Sequence, residues 1–304
     1  MSHSNLPSPA YQPVSSDNPS PDNKARTYQP GKNKTNRLLV GLTLILSFVM
    51  IAPFLWTLGL SLKSNKELML GTDAVFRFPY TLQNYLDILT NSSVFHWLVN
   101  SLIVSGGMTL GVLMLASLAG YAFARLEFPL KRTLFVIVLM GLAVPEQAVI
   151  IARHQIFSTI GLHNTYLGLI LPGLSAPFGV FLMTQFFKAI PKEIDEAAML
   201  DNASKFKIFW KVLLPLTLPA QATLAILTFL TSWNDYFWPL ISATQKEMYT
   251  LTIGIASSQS NFAQSEGLGF LTSQAIFSAI PIIIVYIFFQ KHIVTAVSGG
   301  ALKQ

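Results

Sequence analysis

Six stretches of this chain, roughly residues 38–62, 98–123, 133–152, 166–187, 212–240 and 271–290, run for about 20 residues or more with mostly apolar side chains. An α-helix rises 1.5 Å per residue, so about 20 apolar residues cross the ~30 Å hydrocarbon core of a bilayer. In hydrocarbon each backbone group must find its partner within the protein, which for segments of this length means helices. The pattern predicts an all-α integral membrane protein with six transmembrane helices. Composition supports this, because only 11% of residues are charged against about 25% in soluble domains. The 34 Lys, Arg, Asp and Glu residues could not coat a soluble domain of 304 residues. The fifth stretch is the longest, and Pro215 and Pro219 predict that it is tilted or broken there.

Residues 1–36 contain no hydrophobic run and are rich in Ser, Pro and Asn. Such a segment cannot bury enough surface to order itself, and it reads as a disordered basic tail preceding a spanning domain over 37–304. It is too long and polar for the charged start of a secretory signal, so the first apolar stretch reads as a retained span. Fifteen of the 20 basic residues fall on one side of a six-span arrangement. They are Lys24, Arg26, Lys32, Lys34 and Arg37 in the tail, Arg125, Lys131 and Arg132 in a short connection, Lys188, Lys192, Lys205, Lys207 and Lys211 in a longer one, and Lys291 and Lys303 at the end. Lys63, Lys66, Arg77, Arg153 and Lys246 fall on the other side. This bias predicts that both termini and the 188–211 connection are cytoplasmic. The net charge of +6 is thus largely a topology signal, and no aromatic-interleaved basic patch points to nucleic acid. The absence of cysteine excludes disulfides, thiolate metal sites and cysteine nucleophiles.

The connection between the fourth and fifth stretches is the most informative segment. Pro191 suits a first helical position, Glu193, Asp195 and Glu196 suit the positive end of a helix dipole, and Ile194, Ala197, Ala198 and Leu200 form a small apolar face. Asn202 tolerates a left-handed stop, and Ser204 can cap a second helix leading into the fifth stretch. The segment 189–207 therefore reads as a helix-turn-helix elbow displaying alanines that let another protein approach closely.

Glu196-Ala197-Ala198, followed by Asp201-Asn202-Ala203-Ser204 and by Leu214-Pro215, resembles in residue type and spacing the EAA loop of the membrane-spanning permease subunits of ABC importers that use an extracellular binding protein. The usual glycine after the Asp is Asn202 here. Three further segments resemble the carbohydrate-uptake group of that family, and within it the smaller, six-span permease of maltose-type transporters. They are Gly161 to Pro172, Ser232 to Leu240, and Phe289 to Lys303. The resemblance covers about 38–304 and implies an inner-membrane subunit that pairs with a second permease to move a sugar or sugar derivative. It also implies two separate ATP-binding cassette subunits, carrying ATP and Mg, and a soluble solute-binding protein. In the family the EAA loop docks on the ATP-binding subunit, which assigns that contact to Glu196, Ala197, Ala198, Asp201, Asn202 and Ala203. The absence of a G-x-x-x-x-G-K-[ST] phosphate loop agrees with an engine on another polypeptide and no cofactor in this chain.

Other residues admit two accounts. Glu146 lies within the third stretch, where a carboxylate costs roughly 2.5–3.5 kcal/mol at the bilayer centre. It either lines the translocation path or its gate, or snorkels or pairs with Arg153 seven residues on. Trp233, Asn234 and Tyr236 sit in an aromatic and polar cluster that suits sugar rings, and equally suits an interfacial aromatic belt. Residues 241–270 resemble a loop that reaches into the binding protein's cleft, or form a plain polar connector, and 298–304 resemble a tail that contacts the ATP-binding subunits, or form a frayed C-terminus. The five histidines are scattered, which predicts no metal site. The competing class is an ion-coupled secondary transporter, for which Glu146 is nearly alone as an intramembrane acid.

Overall fold

The computed structural model describes residues 37–90, 93–260 and 267–301. The tail expected to be disordered, residues 261–266 of the long connection, and the side chains of the C-terminal segment from Phe289 onward lie outside the described residues. Within them the fold is helical, with no strand.

The described residues divide after Ile51 into two units. Helix α1 (Arg37–Ser61) runs through the boundary, and its described half in the first unit exposes large apolar side chains such as Leu42, Phe48 and Met50. A polar connection then folds through α2 (Asn65–Leu68), a 3-10 turn over Thr72–Phe76, and α3 (Gln83–Thr90). Ser64 and Glu67 form a reciprocal capping box at the start of α2. Lys63, counted from sequence as one of the outer charges, has a wholly buried side chain. Its ammonium donates to the carbonyls of Arg77 and Pro79 and stands 4.1 Å from the centre of the Tyr80 ring. These contacts replace the water that a buried cation loses.

Helix α4 (Val94–Arg125) is the spine of the second unit. After it come α5 (Lys131–Met140), α6 (Ile150–Thr159), α7 (Tyr166–Ile170), α8 (Pro177–Ala189), α9 (Glu193–Leu200), α10 (Lys205–Lys207), α11 (Leu214–Leu216), α12 (Leu218–Trp233), α13 (Phe237–Ser242), α14 (Leu251–Ser260) and α15 (Gly267–Ala301). Leu39–Ser61, Val94–Arg125 and Gly267–Phe288 are each long and apolar enough to cross a membrane as single helices. Three further pairs reach that length only together, and each is bent. The described residues thus hold six spans when each bent pair counts as one.

The bends fall where proline interrupts the backbone ladder. The continuous helix expected over 133–152 is not formed, because the chain turns by 94° between Lys131–Ala143 and Glu146–Thr159. Pro145 has no N–H to donate and holds Val144 in extended geometry (φ −84°, ψ 113°), so Glu146 opens a new turn instead of extending α5. The fourth span bends by 50° ahead of Pro177. The fifth bends by 77° at Thr217, between the two prolines that predicted it, and its helix stops at Trp233 rather than running to 240. The carbonyl of Leu214, freed by this kink, accepts from the Thr217 N–H and hydroxyl and from the Gln221 amide. A freed carbonyl at membrane depth requires such partners.

The main core joins Val112, Ala116 and Tyr121 of α4 to Met183 and Phe187 of α8, with Ile208, Phe209, Leu213, Ala220 and Leu224 from the segment leading into and along α12. Gly120 allows the close approach of α4 and α8, since a Cβ there would lie 2.9 Å from the backbone nitrogen of Thr184.

Candidate functional site: an elbow and an interior cavity

The elbow begins at Glu193, two residues after Pro191, so Pro191 precedes the first helical turn rather than occupying it. Helix α9 ends in a Schellman motif. Asn202 adopts φ +53°, its N–H donates to Met199 O at 3.0 Å, and the Ala203 N–H donates to Ala198 O at 3.1 Å. The side chain of Ser204 then accepts from the Lys207 N–H and opens the next helix. Ala198 and Ala203 pack against the main core, while Glu196, Ala197, Asp201 and Asn202 face outward. One patch thus presents two carboxylates beside small side chains.

This elbow is held from α4. Arg125 Nε lies 3.2 Å from the Asp195 carboxylate, and its Nη2 donates to Ile190 O at 2.6 Å. Tyr121 donates to Lys205 O at 3.2 Å on the far side of the turn. Burial pushes the Asp195 carboxyl above its ordinary range; Arg125 and Lys192 oppose that shift, while Glu196 adds to it. Asp195 Oδ1 has no hydrogen-bond donor among the described residues, so burial is only partly offset. Sequence reasoning placed Asp195 among acids serving the helix dipole, but the structure turns it inward against Arg125. Its spacing from Ile194 and Ala198 on the inward face was the available signal.

A cavity of about 700 Å³ lies deeper in the second unit, where the break of the third span and the C-terminal end of α12 meet α8. Glu146, Arg153, Asn234, Asp235 and Tyr236 give it polar walls, with Phe178 and Trp238 among its aromatic ones. Arg153 Nη1 donates to Glu146 Oε1 at 3.0 Å, and the guanidinium also lies 5.3 Å from the Trp238 ring centre. Glu146 thus pairs with Arg153 and also lines the cavity. Trp233 does not line this space. It is 4% exposed and stacks on Phe229 within a separate apolar cluster. Trp238 is also buried, so neither tryptophan is an exposed belt residue. Helix formation stops before Asn234, and this break turns Asn234 and Tyr236 into the cavity.

Two of the sequence motifs are joined directly. Trp238 Nε1 donates to Gly168 O at 2.9 Å, and the Asn164 N–H donates to Ser242 O at 2.9 Å. Asn164 Oδ1 accepts from the backbone N–H groups of Thr244 and Gln245, with Asn164 itself at φ +57°. The connection beyond is not a plain polar loop. Asn100 donates to the carbonyls of Glu247 and Tyr249, Ser101 accepts from the Leu251 N–H, and α14 follows with Leu251 and Ile253 buried. These contacts use residues of α4 that sequence patterning could only assign to a span.

Apolar helices that make up to six spans, a polar interior cavity and a small-residue elbow are the build of a membrane transport component. The chain belongs to the family of binding-protein-dependent transport system inner membrane components, matched over residues 112–299. It is similar to the arabinooligosaccharides transport system permease protein AraQ of Halalkalibacterium halodurans, 32% identical over 90% of this chain and 99% of that one. It is 31% identical to the diacetylchitobiose uptake system permease protein NgcG of Streptomyces coelicolor over 86% of this chain and 87% of that one. It is also 31% identical to the trehalose/maltose transport system permease protein MalG of Thermococcus litoralis, over 88% and 96%. In fold it matches a chain of a bacterial ABC transporter involved in the import of the acidic polysaccharide alginate. The TM-score is 0.74 at 21% sequence identity, covering 84% of this chain and 95% of that one.

Proposed function

We propose that this chain pairs with a second permease to form the translocation path for a sugar or sugar derivative across the inner membrane. Two ATP-binding cassette subunits, which bind ATP and Mg, would drive it, and a soluble binding protein would deliver the cargo. In this reading both termini and the elbow are cytoplasmic, as the distribution of Lys and Arg favours.

The supporting observation is continuity. One run of chain leaves the elbow at Ser204, passes the kink at Thr217, and ends as α12 at the cavity wall formed by Asn234 and Tyr236. A displacement of α9 has a helical route to the cavity. Glu196, Ala197, Ala198, Asp201, Asn202 and Ala203 serve as the contact with the ATP-binding subunit, with Arg125 holding the elbow in register. Glu146, Asn234 and Tyr236 line the path, and Trp233 supports α12 from behind. The sugar class rests on relatives named for arabinooligosaccharides, diacetylchitobiose and trehalose or maltose. An ion-coupled secondary transporter is not favoured, because the family works with binding proteins.

Purification of the full-length chain in mild detergent tests the assembly. ATP-binding subunits and a second permease should co-purify, and vesicles holding the complex should accumulate sugar only when ATP is supplied on the elbow's side. Uptake by the chain alone, driven by an ion gradient, would overturn the proposal.

A further inference from the structure

The segment after the elbow has an outward face that neither the docking contact nor the cavity uses. Residues 205–216 are set at 77° to α12, so when α12 crosses the bilayer this segment runs much closer to the membrane plane. Its inward face is Ile208, Phe209 and Leu213, all in the main core. Outward it exposes Phe206 (70%) and Trp210 (56%), whose rings are stacked at 12° to one another. Lys205, Lys207 and Lys211 are exposed around them and form no ion pair among the described residues. No Asp or Glu occurs from Asn202 through Asn234, so the segment supplies no counter-charge of its own. Beyond Lys211 the exposed surface continues as Leu216 and Leu218, without a charged residue.

We propose that the Lys205–Lys211 face is an interfacial site for anionic phospholipid headgroups. The ammonium groups pair with lipid phosphate, and Phe206 and Trp210 sit at the boundary between headgroups and acyl chains. Lysines flanking exposed aromatic rings suit that boundary, where rings bury their apolar bodies and ammonium groups meet a negative surface. The apolar strip that follows favours lipid over a protein partner, because it carries the same face directly into the hydrocarbon layer. The site lies on the only stretch of chain between the elbow and α12, so lipid charge would bear on how the elbow is seated.

The test uses the full-length chain with its co-purifying subunits in phosphatidylcholine nanodiscs. Each contains either phosphatidylcholine or phosphatidylglycerol brominated near the headgroup end of the acyl chains. The contribution of Trp210 is the difference between the parent and Trp210→Phe. Brominated phosphatidylglycerol should quench it at about one-fifth of the mole fraction that the brominated phosphatidylcholine requires, the ratio equivalent to ~1 kcal/mol for one lysine at an anionic surface. The triple variant Lys205→Gln, Lys207→Gln, Lys211→Gln should bring the ratio to about one while quenching by phosphatidylcholine persists. Equal quenching by the two lipids in the parent overturns the proposal. So does the absence of quenching by either, which is the outcome expected of a face covered by another subunit. If the triple variant fails to assemble, the ratio in the parent decides alone.

Discussion

Arg125, the last residue of α4, holds its Nε 3.2 Å from the carboxylate of Asp195 in the first turn of α9, with side chains only 5% and 12% exposed. The central helix of the second unit is thereby tied to the elbow by a nearly dry ion pair. Removing either charge of such a pair strands the other, at a cost of about 3–5 kcal/mol. Arg125→Ala and Asp195→Asn should therefore both lower the unfolding midpoint, and Arg125→Ala further, because it also removes the hydrogen bond to Ile190 O. The pH dependence sharpens this. Burial raises the Asp195 pKa above the ordinary 3.8, so its contribution is fullest below 3.8 and is lost as the pH rises through the raised value. Arg125→Ala removes an influence that lowers this pKa, and should regain stability on acidification toward the carboxylate range. The double variant with Asp195→Asn should lose that gain, which thermal unfolding in detergent across pH would read.

The turn after α9 depends on Asn202 at φ +53°. Asn202→Gly should leave stability and transport close to the parent, because glycine enters this region freely. Asn202→Val should cost at least ~1–2 kcal/mol, the penalty of left-handed geometry for a side chain with Cβ, aggravated by branching. It should also weaken recovery of ATP-binding subunits in pull-downs. Equal behaviour of the two variants would contradict the assigned turn.

Gly120 sits where α4 meets α8, and a Cβ would fall 2.7 Å from Met183 Cβ as well as against the Thr184 backbone. Backbone cannot step aside as a flexible side chain can. Gly120→Ala should therefore destabilise by about 1–3 kcal/mol, the usual effect of overpacking, and calorimetry or a thermal-shift assay should detect it.

Glu146 is 64% exposed at its side chain, although its partner Arg153 is only 18% exposed. A pair open on one side is worth ~1 kcal/mol or less, so Glu146→Gln should barely move the unfolding midpoint. If the cavity is part of the path, the same variant should still reduce uptake, and Arg153→Gln should do so as well. Unchanged uptake in both would remove these residues from the path.

Much of the local design was legible because it rests on residue chemistry at fixed spacing. Asn202 and Ser204 announced the turn and the cap, and Pro215 and Pro219 announced the kink at Thr217. Pro145 carried an equally strong signal, but the apolar run around it reads as one span because hydropathy windows respond to composition rather than backbone continuity. The tertiary partners were hidden for a different reason. Arg125 and Asp195 are 70 positions apart, and nothing in either local pattern says that they meet. Trp233 and Trp238 read alike in sequence, yet one packs behind α12 and the other bonds to Gly168, because the break at Asn234 reverses which side each ring faces. Lys63 read as a surface charge for the same reason: the carbonyls that hold it arrive from residues 77 and 79 only once the connection has folded back.

The central claim is that the elbow meets an ATP-binding subunit, and the absence of native cysteine allows a direct measurement. Ala197 is exposed on the outward face of α9, so Ala197→Cys adds a single thiol to the full-length chain at the proposed contact. In membranes containing the assembled transporter, a short bifunctional thiol- and amine-reactive reagent should join this chain to its ATP-binding subunit, and added ATP should change the yield. A thiol that stays unlinked, or that reacts with a membrane-impermeant reagent applied to the outer face of intact cells, would contradict the account.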